Sequence, residues 1–382
     1  MCRRLALVAT LLSFSFTSAR AWLCAVRPPC RGRNGFCTRT RSIKLNQPAA
    51  RTMSSCKDSI DVEEIWPHLA GKRTCATEAT GKVIREAWAQ DTRSTAVGYG
   101  TSISSSSWSI RRSVVHYTHG ETALEGLFAR PEGEGLPDRL PGVIIAHTAV
   151  GPQEDMILWK LDAIARLGYA AFALDMFGTG HALWDRPQSL AARRPITEDR
   201  SLMQDRAMAA VRTLGLMEEV DQDRLAAVGY CFGGMAMLDL ARMTARSSDG
   251  VDDDDVTGDP RLKAVASLHG ILAPILPGAG GGNNVVGAKP DDALIGVPRV
   301  LVLHATADPF VPPKQIQAME EEFARRGANV EIVRYGGEAL HAFTRPEKTG
   351  QADKDAGLQY CKHADEDSWR RVVALLQEEL KQ

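Results

Sequence analysis

Beyond Arg112, short runs of β-branched and alanine-rich residues alternate with stretches whose apolar positions recur every three or four residues. A strand covered on both faces reads as a continuous apolar run, and the helices between such strands supply the cover. The alternation therefore predicts βαβ units around a mostly parallel sheet with helices on both faces. The strands expected are Gly142 to Ala146, Ala170 to Leu174, Leu225 to Val228, Ala264 to Leu268, Val300 to Leu303 and Val330 to Val333. Helical spacing is carried by Met203, Ala207, Val211 and Leu214, by Phe232 to Met243, and by a closing stripe of Trp369, Val372, Leu376 and Leu380. Another helix ends at Leu167-Gly168, where glycine suits the position just past the last turn. Val114 to Tyr117 and Leu124 to Phe128, joined through His119-Gly120, read as an opening antiparallel hairpin. The acidic run Asp252 to Asp255 and the glycine run Gly278 to Gly282 read as solvated loops.

The N-terminal region has a different character. From Met1 to Lys57 there is no Asp or Glu against eleven Lys and Arg. Arg3-Arg4, the apolar run Leu5 to Phe16 and the small-x-small sequence Ala19-Arg20-Ala21 read as a secretory signal cleaved before Trp22. The Arg-, Ser- and Thr-rich stretch that follows has the composition of a transit peptide. In tandem the two resemble the bipartite plastid leaders of algae with secondary plastids. A secreted or endomembrane-lumen protein with a basic spacer is the alternative, and Met53 is an alternative start. The expected organisation is a targeting segment over 1–57, a loosely structured extension over 58–111 with a helix near Ile84 to Trp88, and an α/β domain over 112–382. Six of the eight cysteines lie in the first 75 residues, leaving Cys231 and Cys361 beyond. That is too few for a disulfide framework, and the spacing fits no zinc pattern.

Hydrophobic residues make up 44 % and charged residues 24 % of the chain, which excludes a wholly disordered, collagen-like or coiled-coil protein. The formal net charge of -1 carries no bias toward polyanions, so no nucleic-acid partner is expected. No apolar run reaches the roughly 18 residues of a membrane-spanning helix, so no membrane association is expected after processing. The chain is expected to act as a monomer.

The strand ending at Val228 runs into Gly229-Tyr230-Cys231-Phe232-Gly233-Gly234, and a helix follows. This is a nucleophile elbow with Cys where Ser is usual. Small residues on either side let the chain turn sharply, so the sulfur stands clear of the sheet at the positive end of the next helix, where a thiolate is favoured. The competing reading is a glycine-punctuated turn with a buried, inert Cys. Asp308 follows strand Val300 to Leu303, and His341 follows strand Val330 to Val333 by way of Tyr335-Gly336-Gly337. Nucleophile, acid, histidine is the chain order of the α/β-hydrolase fold, whose loops converge on one edge of the sheet. Asp175 also ends a strand and competes with Asp308 for the role of the acid.

The elbow, the segment Asp308-Pro309-Phe310-Val311-Pro312 and the segment His341-Ala342-Phe343-Thr344 together resemble the dienelactone hydrolase family of α/β-hydrolases, over roughly Val114 to Leu380. The resemblance implies a Cys-His-Asp triad in an enol-lactone or ester hydrolase: Cys231 as nucleophile, His341 as general base and acid, Asp308 orienting the imidazole. It implies no metal and no organic cofactor. The backbone N–H of Phe232 should provide one oxyanion donor, and the loop after Gly142 to Ala146 the other, at Ala149.

One departure stands out. In characterised dienelactone hydrolases a glutamate just precedes the second donor and helps control the resting thiol, whereas this chain reads His147-Thr148-Ala149-Val150-Gly151. Thr148 cannot take a proton, so either His341 activates Cys231 directly or substrate preference has moved. Arg345 matches the position of a family arginine that helps hold the substrate carboxylate, which suggests an anionic lactone or ester. The expected activity is hydrolysis of a small-molecule lactone or carboxylic ester through a covalent thioester. The alternatives are thioester or amide hydrolysis on the same triad, and a non-catalytic redox-sensing or ligand-binding protein that retains the fold.

Overall fold

The structure is a computed structural model that describes residues 88–89, 108–181, 183–244, 246–247, 261–273, 294–295, 298–325 and 327–380. The leader, nearly all of the extension and the two inserts read as loops lie outside the described residues. Eight strands form the main sheet: β1 (Ser109–His119), β2 (Thr122–Glu132), β3 (Leu140–Ala146), β4 (Ala170–Ala173), β5 (Val220–Tyr230), β6 (Leu262–Leu268), β7 (Arg299–Ala305) and β8 (Val330–Tyr335). Their order across the sheet is β1-β2-β4-β3-β5-β6-β7-β8. β1 and β2 pair antiparallel, as do β2 and β4, and every neighbouring pair from β4 to β8 is parallel. A separate two-residue ladder joins Arg246–Ser247 to Leu294–Ile295.

The strand order explains where a site can form. The chain runs from β3 outward to β4, then crosses back to β5 on the other side of β3 and proceeds outward again. The loops leaving β3 and β5 therefore part in opposite directions and open a crevice at the carboxyl ends of these strands. All seven residues of β3 are buried, as are Leu225 to Tyr230 of β5. This double cover is what the continuous apolar runs require. β5 begins earlier than its apolar run, because Val220 and Asp221 pair with Leu140 and Pro141 of β3 ahead of a register irregularity that skips Gln222 to Arg224. The outer strand β8 is buried on alternate residues at most, as an edge strand should be.

Helices α1 (Asp155–Arg166), α2 (Arg186–Glu198), α3 (Arg200–Gly215), α4 (Phe232–Thr244), α5 (Pro313–Arg325), α6 (Gln351–Asp355) and α7 (Lys362–Leu380) complete the domain. α1 and α7 bury Ile157, Leu161, Ile164, Trp369, Val372 and Leu376 on one face of the sheet. Met203, Val211, Leu238, Met319 and Phe323 of α3, α4 and α5 form the core of the other. α2 is held differently. Asp185 caps its first turn through the Gln188 N–H, and of its own residues only Ser189 and Ile196 are buried. Asp199 then ends α2 and caps α3, accepting from the N–H groups of Ser201 and Leu202.

Trp88 of the extension is fully buried in the same cluster as α1. The Arg112 guanidinium lies 5.9 Å from its ring centroid and binds Asp162 of α1 through two hydrogen bonds of 2.8 and 2.7 Å. The α/β domain thus takes part of its core from a residue ahead of its first strand. Trp88→Ala is expected to lower the unfolding free energy in urea by about 3–5 kcal/mol. Leu216→Ala, at a residue 82 % exposed, should stay within about 0.5 kcal/mol of the parent. Equal, small effects at both positions would contradict the docking of Trp88.

Candidate active site

The elbow is built by close approach. Cys231 has φ +55°, a left-handed conformation that side chains with a Cβ rarely adopt. A Cβ on Gly229 would stand 2.2 Å from the Gly233 carbonyl oxygen, and one on Gly233 would stand 2.3 Å from that of Ala146. Only glycine fits at either position. The turn is also fixed by hydrogen bonds: the Cys231 N–H donates to Leu268 O at 3.0 Å, and Gly233 N–H to His147 O at 3.0 Å. The second bond ties the first turn of α4 to the loop after β3. The Cys231 side chain is only partly buried, whereas Cys361 is buried.

Asp308 and His341 arrive on the loops after β7 and β8. His341 Nδ1 donates to Asp308 Oδ2 at 2.7 Å, and its Nε2 lies 3.0 Å from Cys231 Sγ. The other carboxylate oxygen of Asp308 accepts from the Phe310 N–H at 2.8 Å, which fixes the plane of the carboxylate. The His341 loop is anchored through Gln359 N–H to His341 O at 3.0 Å. The His341 ring stands edge-on between Phe310, at 4.9 Å, and His269, at 5.2 Å.

The electrostatics follow from this line of atoms. Burial works against a charge on Cys231, but the His341 charge and hydrogen bond, the Arg193 charge and the Phe232 N–H together bring the thiol below its ordinary value. Burial likewise works against His341, yet the Cys231 sulfur and the Asp308 carboxylate push its pKa up to about 10. Each group favours the charged form of the other, which describes a thiolate–imidazolium pair.

Asp175, the competing acid, does not meet His341. Its carboxylate accepts from the N–H groups of Glu125, Phe177 and Gly178, so it shapes the turn after β4.

The loop after β3, where the second oxyanion donor is expected, is densely braced. Ser189 of α2 donates to Ala149 O at 2.6 Å, and Gln153 donates to Val150 O at 3.0 Å. His147 places Nδ1 2.6 Å from Thr148 O and accepts the Met176 N–H at Nε2. Among the described hydrogen bonds the Ala149 N–H has no acceptor. Thr148 donates through Oγ1 to Glu154, which heads α1 and is ion-paired with Arg345. Arg345 also binds Glu347 at 2.7 Å. Its guanidinium is therefore engaged by two carboxylates, through Nη2 and Nε. Burial pushes the Glu154 carboxyl up against the pull of Arg345. The Glu347 carboxyl also suffers burial, but Arg345 holds it below its ordinary value.

Glu154, Glu347, His269, Arg193 and Phe310 were not singled out as site residues by their sequence context. Glu154 had one signal, an acid just ahead of a helix that follows the oxyanion loop. The Arg193 charge reaches Cys231 from α2 and the His269 ring meets His341 from the loop after β6, whereas Phe310 and Glu347 lie two residues beyond Asp308 and Arg345. Among the described residues no group of three or more His, Cys, Asp or Glu is arranged to hold a metal ion. No described helix is long and apolar enough to cross a membrane.

Comparison with known proteins agrees with this architecture. The model of the family described as dienelactone hydrolase matches residues 124–380. An uncharacterized Caenorhabditis elegans protein, K02A2.1, is 31 % identical over 184 residues, 48 % of this chain and 98 % of that protein. The solved structure named m3DLH is 31 % identical with a TM-score of 0.59, covering 71 % of this chain and 99 % of its own. A dienelactone hydrolase-like promiscuous phosphotriesterase, P91, from metagenomic libraries is 30 % identical with a TM-score of 0.58, covering 71 % and 99 %. With an eight-stranded, mostly parallel sheet of matching design and two thirds of its length inside the family model, the chain belongs to the dienelactone hydrolase family of α/β-hydrolases.

Proposed function

We propose that this protein hydrolyses a small-molecule carboxylic ester or lactone through a covalent thioester on Cys231. The observation that carries the reading is the unbroken succession of Cys231 Sγ, His341 and Asp308, with contacts of 3.0 and 2.7 Å. The thiolate attacks the carbonyl carbon, a C–S bond forms, and the carbonyl oxygen takes the negative charge. The N–H groups of Phe232 and Ala149 receive that oxyanion. As the tetrahedral species collapses, the His341 imidazolium gives its proton to the departing alkoxide and the C–O bond breaks. The alcohol leaves, or, in a lactone, stays tethered to the acyl group. His341, now neutral, takes a proton from water, the resulting hydroxide attacks the thioester, and the acid leaves as the thiolate is restored. Asp308 keeps the proton on Nδ1 and the ring in line throughout.

Thr148 has no acid–base role in this scheme, because the thiol already has its base in His341. Arg345 remains the residue through which an anionic substrate would be favoured. Arg193 is a second cation whose charge reaches Cys231. Thioesters and amides would enter the same sequence with a different leaving group, so the substrate panel must include them. A phosphotriester belongs in the panel because a relative at 30 % identity is described as a promiscuous phosphotriesterase.

Two outcomes are expected. With p-nitrophenyl acetate and a lactone, turnover should fall by a factor on the order of 10⁴ in both Cys231→Ala and His341→Ala, and intact mass of the rapidly quenched parent should include an acyl adduct. Activity that survives in His341→Ala would mean a simple reactive thiol. The pH profile of kcat/KM should be bell-shaped. The acid limb, where the thiol gains its proton, should lie below the ordinary thiol value, and the alkaline limb, where the imidazolium loses its proton, near pH 10. A profile that only rises with pH, following an ordinary thiol, would contradict the ion pair.

A further inference from the structure

His269 lies directly after β6, and the triad scheme leaves it without a task. Its N–H continues the sheet by donating to Leu303 O at 2.8 Å, yet its φ is +37°, a conformation uncommon for any residue other than glycine. The side chain is fully buried. One hydrogen bond fixes it: Nε2 lies 2.8 Å from Thr344 Oγ1. The Thr344 hydroxyl also lies 3.4 Å from Met156 Sδ.

What surrounds the ring gives its use. His269 presents an edge to the His341 ring at 5.2 Å and 66°, and to Phe343 at 5.1 Å and 86°. Phe310 faces His341 from another ring contact at 4.9 Å and 60°. Thr344, which holds His269, is three residues beyond His341 on the same loop. We propose, on the reading of Cys231, His341 and Asp308 given above, that His269 is a positioning residue for His341. It is a second imidazole that, with Phe310, keeps the base on the line from Asp308 Oδ2 to Cys231 Sγ.

The titratable and charged groups near His269 are His341, Arg345, Lys160 and, at 6.1 Å between ring centroids, Tyr230. Burial and the three cations hold the His269 basicity well below its ordinary value. It therefore stays neutral at the working pH and adds no charge beside the imidazolium.

The test compares His269→Ala and His269→Phe in the full chain, with His341→Ala in the same ester assay. Removing the ring should lower kcat by about 10- to 100-fold with little change in KM, since small misplacements of a catalytic group carry penalties of that size. It should also move the alkaline limb of the pH profile to lower pH, because a loosened imidazolium is less well held by Asp308 and the thiolate. His269→Phe keeps an aromatic edge against His341 and should recover most of kcat and the position of the limb. If His269→Ala does not fold, His269→Leu fills the volume without a ring and carries the same expectation. The inference is overturned if the ring-less variant keeps kcat and the limb within about twofold of the parent while only its thermal stability falls. It is equally overturned if His269→Phe is as impaired as the ring-less variant. Wild-type activity in His341→Ala would instead overturn the triad reading itself, whatever His269 does.

Discussion

The left-handed turn at Cys231 is the constraint from which the site's arrangement follows. A residue with a Cβ held at φ +55° costs on the order of 1–3 kcal/mol, and the surrounding contacts have to offset it. They do so by filling every position around the turn: Cys231 N–H binds Leu268, the start of α4 binds His147, and Gly229 and Gly233 remove side chains where backbones meet. The sulfur then leaves the sheet at the crevice where the loops after β3 and β5 part, and it meets the N-terminal end of α4. Only there can an imidazole from the loop after β8 reach it. Burial disfavours each charge separately, while each of the two groups favours the charged form of the other.

The same logic recurs away from the site, with another purpose. Arg112 with Asp162, Lys160 with Asp365, Asp239 with both Arg200 and Arg242, and Arg242 with the half-buried Glu322 are ion pairs that bridge helices and strands. Such pairs add little net stability over apolar residues of the same volume, but a helix shifted by one turn would leave charges unpaired, at a cost of about 3–5 kcal/mol. They set the seating of α1, α3, α4, α5 and α7. α1 matters most for chemistry. Its Lys160 sits between the rings of Trp159 and Trp369, its Asp162 holds Arg112, and Glu154 at its head touches Thr148 and Arg345. The loop bearing Ala149 is thus pinned from α1 on one side and from Ser189 of α2 on the other. Preorganised donors of this kind need no rearrangement as charge develops on the substrate.

The central strands were legible because burial on both faces writes a continuous apolar run, as in Gly142 to Ala146 and Val300 to Leu303. The start of β5 at Val220 was not, since Asp221 to Arg224 are polar and Gln222 to Arg224 fall in the register irregularity. α2 was hidden for a comparable reason: it contains Pro187 and Pro195 and buries two of its residues, so it has almost no apolar stripe to read. Cys231, Asp308 and His341 could be picked out because each follows a strand in a fixed chain order. The choice between Asp308 and Asp175 needed coordinates, as both end strands, and three backbone amides claim the second. His269 and Glu154 gave no comparable signal. Their importance comes from neighbours more than 70 and 190 residues away in the chain, Thr344 and Arg345.

The proposed mechanism requires a charged sulfur beside a charged imidazole in the resting protein. Thiolates absorb in the ultraviolet where thiols do not, so the most direct measurement is the absorbance difference between the parent and Cys231→Ser, followed across pH. The predicted result is a thiolate band already present at neutral pH, disappearing only on acidification and shifted to alkaline pH in His341→Ala. A band that emerges only near the ordinary thiol range in the parent, and does not move when His341 is removed, would contradict it.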